Sequence, residues 1–195
     1  MIIQNSQGIS SKLRILTRSA LMASIFIIFA QIRFPLPFTP VPITLQTLGI
    51  ILCASLLRPK ESLYPVILYI LMGAIGLPVF AGGNSGPAYL LGPTGRFIIS
   101  WIPSVFIMSF ITEKALTSKY ASKNIYAYII YLLSIVIFTL MVYFIGIIWF
   151  MASTGSNLMA SISACMLPFI PGDIIKGLIA LIAFPYIRNI RQNIM

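Results

Sequence analysis

The sequence has no histidine, three acidic residues and two cysteines in 195 residues. Each scarcity removes a class of chemistry. Without histidine there is no imidazole base to activate a serine nucleophile, and the commonest transition-metal ligand is missing. Cys53 and Cys165 each sit in an apolar run without metal-ligand spacing, which marks them as small buried hydrophobes and leaves no metal set. Nor does the glycine-rich GPTGR at 92–96 have the G-x-x-x-x-G-K-[ST] spacing of a phosphate-binding loop, so the chain carries no ATPase of its own. With only 8% charged residues, a water-soluble domain is excluded, and no polar stretch is long enough for a second domain.

What remains is apolar. The chain is 59% hydrophobic, which marks an all-α integral membrane protein forming one domain over 1–195. Apolar segments fall at about 15–32, 43–57, 63–81, 97–111 and 125–151. A last one, 158–187, is broken by Pro168 and Pro171 into a half-helix at 158–169 and a span at 172–187. A helical crossing takes about 20 residues, so the second and fourth segments are short. The basic start before IFIIFA resembles a signal peptide but lacks a small-x-small cleavage site, and is expected to stay as the first span.

The net charge of +10 would suggest nucleic acid in a soluble protein; in a membrane protein it reflects basic cytoplasmic loops. With the N-terminus inside, Lys12, Arg14, Arg18, Arg58, Lys60, Lys114, Lys119, Lys123, Arg188 and Arg191 all fall on the cytoplasmic side, ten of the thirteen bases. Six spans then put both termini inside. The charges that topology leaves over, Arg33, Arg96, Lys176 and Asp173, share the outer side.

The outer connections are also the irregular ones. RFPLPFTPVP has four prolines and favours extended backbone, while FAGGNSGPAYLLGPTG has five glycines and permits close approach to a ligand. Such backbone at membrane depth must be buried or line a cavity, so the outer half is expected to hold a pocket.

Asp173 and Lys176, three apart after Pro171-Gly172, share a helix face. They are compatible with a capped helix start carrying a local ion pair. An ionisable group in a span costs about 2.5–3.5 kcal/mol, however, which points equally to a ligand or proton path. Thr44, Gln46 and Asn84 offer uncharged donors and acceptors suited to an amide or urea, or are satisfied polar groups of the bundle. Arg96 is either a carboxylate holder or an interfacial anchor, and Arg33 is an anchor. Tyr89 and Phe80 are apolar walls or members of an aromatic belt. On the first span, Ser19-x-x-x-Ala23 and Ala20-x-x-x-Ser24 permit close helix packing, inside the bundle or against another protein.

Taken together, FTPVPITLQTLG (38–49), YILMGAIGLPVFAGG (69–83), LLGPTG (90–95) and PGDIIKG (171–177) resemble the BioY family, the biotin-specific membrane S components of energy-coupling factor transporters. The resemblance runs from the first span to the C-terminus. It implies a six-helix S-component fold in the bacterial plasma membrane, biotin binding near the outer face and no cofactor. The implied partners are a transmembrane T component, contacted through Ser19, Ala20, Ala23 and Ser24, and two ATPase subunits. Family binding residues carry over to Asn84, Asp173 and Lys176, with Thr44 and Gln46 in a matching motif. The sequence departs from the family at Arg96, where glycine commonly follows GPTG, and at Pro87 in the glycine-rich loop. The competing expectations are an S component for another vitamin, a solitary gradient-driven biotin carrier with Asp173 as a proton relay, and a membrane enzyme with Asp173 and Lys176 as acid and base.

Overall fold

The computed structural model describes residues 2–117 and 124–194. Eight helices account for most of the chain: α1 (Ile2–Gln31), α2 (Gln46–Leu56), α3 (Pro59–Ala74), α4 (Pro87–Leu91), α5 (Gly95–Thr117), α6 (Asn124–Thr154), α7 (Leu158–Cys165) and α8 (Ile170–Ile194). Four of them, α1, α5, α6 and α8, contain stretches long and apolar enough to cross a membrane. The helix α2 has 11 residues and α3 has 16, so α2 rises only about 16 Å.

Several boundaries differ from the sequence expectation, each for a local reason. The segment at 43–57 begins with Ile43 and Thr44 in an extended pair rather than a helix. Leu77-Pro78 follows Gly76, whose φ of 102° ends α3 early, so 77–81 belongs to the outer loop. In the opposite sense α5 and α8 extend beyond 97–111 and 172–187, and α8 starts at Ile170, with Pro171 in its first turn where a missing N–H costs nothing. The short α4 went unforeseen inside the glycine-rich stretch.

The bundle has a loop end and a basic end. At the loop end the proline-rich segment forms a minimal hairpin, β1 (Arg33–Phe34) against β2 (Ile43–Thr44), with Arg33 opposite Thr44. Leu36, Val41 and Ile43 of this hairpin pack on Tyr143, Ile147 and Phe169. The adjoining loop, with Ala81–Gly83 in a 3-10 turn, is fastened to α3: Gly86 N–H donates to the Gly73 carbonyl at 2.7 Å. The Phe80 ring occupies the place a side chain at Gly73 would need.

At the basic end Arg18 faces Glu61 at 3.9 Å, and Arg191 donates to the Ser55 carbonyl at 2.9 Å. Lys119 and Lys123 lie outside the described residues. Between the ends runs one core that joins all the long helices, including Phe26, Ile50, Tyr69, Trp101, Tyr131 and Phe184. Lipid is as apolar as these side chains, so close packing rather than escape from water holds the helices together. Gly146 shows it: the Phe97 ring of α5 lies where its Cβ would stand on α6. Cys53 and Cys165 are free, buried and on separate helices, as small hydrophobes.

The four small residues of α1 divide between two faces. Ser19 is 4% and Ala23 is 1% exposed, both packed inside the bundle, whereas Ala20 and Ser24 are exposed. The two patterns overlap with an offset of one residue and so point about 100° apart, one into the bundle and one out of it.

Candidate functional site

The loop end encloses a cavity between α2, α5, α6 and α8, roofed by the hairpin, by Ala81 and by Tyr89 of α4. It measures about 810 Å³ with its open mouth included. Most of the wall is apolar: Val41, Ile51, Phe97, Trp101, Phe138 and Phe169. The charged groups are confined to one region.

That region is built on the start of α8. The helix turns in at Phe169, whose carbonyl receives the Asp173 N–H at 2.9 Å. Asp173 and Lys176 then face the cavity one turn apart. Lys176 is only 5% exposed; its ammonium donates to Asp173 Oδ1 at 3.0 Å and to Thr47 Oγ1 at 2.9 Å. The second carboxylate oxygen, Oδ2, accepts a short hydrogen bond from the Tyr143 hydroxyl of α6. Three helices, α2, α6 and α8, are thus tied through one ion pair whose Lys176 is buried and whose Asp173 is half-buried. A charge pair removed from water must be hydrogen-bonded in this way to be tolerated.

Across the cavity, α2 begins with a second polar group. Thr44 Oγ1 donates to Gln46 Oε1 at 3.0 Å, and Gln46 Nε2 donates to the Tyr69 hydroxyl at 2.6 Å. Phe80 stacks on Tyr89 at 5.3 Å; Tyr89 lines the cavity, and Phe80 backs it from outside the lining.

Of the residues expected from sequence, Thr44, Gln46, Tyr89, Asp173 and Lys176 line one cavity. Asn84 and Arg96 do not. Asn84 is exposed on the loop, and its amide donates to the Ala81 carbonyl at 2.7 Å. The Arg96 guanidinium lies 4.0 Å over the Trp149 ring, whose indole N–H donates to the Gly92 carbonyl. Arg33 packs against Gly82, whose φ of 73° brings its backbone under the guanidinium. Thr47, Tyr143 and Trp101 were missed. Thr47 stands beside Gln46 in the same motif, and Tyr143 is a polar group in an apolar span, so both had a signal; Trp101 had none. Its indole N–H is buried without a hydrogen-bond partner among the described residues.

The model of the BioY family matches residues 4–193, nearly the whole described chain. The chain belongs to the BioY family. Within this family it is 36% identical over 186 residues to the biotin transporter BioY of Lactococcus lactis subsp. cremoris (strain MG1363), covering 94% of each chain. It is 31% identical over 168 residues to the biotin transporter BioY of Rhizobium etli, covering 86% of this chain and 89% of the relative. Its fold is similar to the crystal structure of the S-component for biotin from an ECF-type ABC transporter, with a TM-score of 0.79 at 34% identity. That likeness covers 94% of this chain and 93% of the other. With its apolar helices, this BioY-family chain is a multi-pass bacterial membrane protein.

Proposed function

We propose that the cavity binds biotin from the outer face, and that the chain works as the membrane-embedded S component of an ECF-type transporter for biotin uptake. The observation that carries this reading is the pairing of the Asp173–Lys176–Tyr143 cluster with a mostly apolar cavity, in a chain of this family. Biotin has two ureido N–H donors and a carbonyl, an apolar thioether ring and chain, and one carboxylate. A fixed carboxylate accepts N–H donors, an ammonium meets the carbonyl or the carboxylate, and aromatic walls cover the ring. Thr44, Gln46 and Tyr89 complete the inner shell, while Asn84 contributes from the loop above it and Arg96 from the first turn of α5. The family is one of transporters, and the chain is read as transport machinery rather than an enzyme.

In the membrane the single domain 1–195 crosses six times, through α1, α2, α3, α5, α6 and α8, with both termini inside. The hairpin completes the crossing that α2 is too short to make, and the bases at the far end satisfy the positive-inside bias. A T component and two ATPase subunits supply the energy, and Ala20 and Ser24 offer the exposed small-residue face of α1 for close helix contact. Titration of the purified protein with biotin and a panel of other vitamins tests the ligand; preference for any vitamin but biotin overturns the assignment. Uptake into proteoliposomes by this chain alone, collapsed by a protonophore, overturns the dependence on a T component and ATPase subunits.

A further inference from the structure

A buried hydrogen-bond chain leads from the cavity wall into the loop 77–86. Gln46 Nε2 donates to the Tyr69 hydroxyl at 2.6 Å, and that hydroxyl donates to the Val79 carbonyl at 2.9 Å. Tyr69 is fully buried and Gln46 is 4% exposed, so water does not stand in for either partner. A phenol has one proton. Having given it to Val79, Tyr69 must accept from Gln46, which turns the amide nitrogen toward Tyr69 and the amide oxygen toward Thr44, 3.0 Å away. The second N–H and second lone pair of that amide remain for a ligand in the cavity that Gln46 lines.

The other end of the chain is the loop itself. Beyond Val79, Phe80 packs edge-on against Tyr69 with ring centroids 5.5 Å apart and stacks on Tyr89, while Ala81 lines the cavity. Three glycines with positive φ, Gly82, Gly83 and Gly86, follow within six residues. Such a run has little stiffness of its own; its arrangement is set by what holds Val79 and Phe80 at one end and by the Gly86–Gly73 hydrogen bond at the other.

We propose that Tyr69 is a positioning residue that couples Gln46 to the loop 77–86, so that a ligand engaging the Gln46 amide fixes the loop against the cavity. The proposal rests on the reading of the cavity as a biotin site. Tyr69 touches no ligand; it transmits the orientation of Gln46 to the Val79 carbonyl, and a fixed loop slows ligand release.

The test is Tyr69→Phe, which keeps the ring and removes the hydroxyl. It combines biotin titration with amide hydrogen exchange of the loop 77–86 at saturating biotin. In the wild type biotin slows exchange in this loop. In Tyr69→Phe the loop loses that protection although the site is filled, and biotin leaves roughly tenfold faster, the factor that about 1.4 kcal/mol represents. Gln46→Met breaks the chain at its other end and is expected to lose loop protection too, which keeps the test decisive if Tyr69→Phe does not fold. Wild-type loop protection in either filled variant overturns the coupling and leaves Tyr69 a packing residue. Absence of biotin binding by the wild type overturns the cavity reading, and the coupling with it.

Discussion

Each end of the bundle buries a cation, and the two are held in different ways. Lys176 at the loop end has an acidic partner on its own helix, a hydroxyl on α2, and cavity beside it. Arg191 at the basic end is fully buried and spends one nitrogen on the Ser55 carbonyl. That bond caps the last turn of α2, where helix carbonyls lack partners and the dipole is negative. Around it Ser109 donates to the Leu57 carbonyl at 2.6 Å, and Ser55 and Tyr131 share a hydrogen bond at 2.9 Å. One cation is packed as structure; the other, on the proposed reading, is prepared for contact. Burial of a charge therefore does not mark a binding site by itself; the proposed site adds unfilled space and a paired acid.

The largest effect that separates the two ends is expected from Asp173→Asn. It removes the charge that Lys176 and Tyr143 both address, and a charge-assisted hydrogen bond contributes about 1.5–3 kcal/mol. Biotin affinity should fall by roughly 10- to 150-fold, read by calorimetric titration. A loss of similar free energy, but of stability, is expected from Gly73→Ala. The new methyl group meets the Phe80 ring, and overpacking costs about 1–3 kcal/mol; a lowered Tm measures it. Asn84→Ala should weaken biotin by a smaller factor of about tenfold, since Asn84 stands on the exposed loop and reaches the ligand only from above. The smallest effect on binding is expected from Ala20→Leu, which should leave biotin affinity unchanged while reducing uptake with the complete transporter. An unchanged uptake removes Ala20 from the partner face.

Much of the loop end was legible before the fold was known. Asp173 and Lys176 stood out because topology explained ten bases and left these two over together with Arg33 and Arg96, and Gln46 and Thr44 because a polar pair at the head of a span needs partners. Prolines at 35, 37, 40 and 42 announced the irregular hairpin. Trp101 was invisible for the opposite reason, and Tyr143 was passed over although a hydroxyl in an apolar span was a signal. Aromatic residues are common in membrane spans, and nothing along the chain tells which faces lipid and which faces a cavity formed by three other helices. Arg191 was counted as one more cytoplasmic base, since sequence reveals a charge near a helix end but not that α2 leaves an open carbonyl within its reach. The two faces of α1 were merged for the same reason: spacing finds small residues, while their division between bundle and surface depends on where α2 and α3 pack.

The most direct test sets the two buried cations side by side, measuring biotin affinity and Tm for Lys176→Met and Arg191→Met in the same detergent. Lys176→Met is predicted to weaken biotin by tenfold or more, consistent with the loss of a charge-assisted hydrogen bond of about 1.5–3 kcal/mol. Arg191→Met is predicted to bind biotin like the wild type with an altered Tm. Wild-type affinity in Lys176→Met, or an equal loss in both variants, would contradict the assignment of the loop-end pair as the binding site.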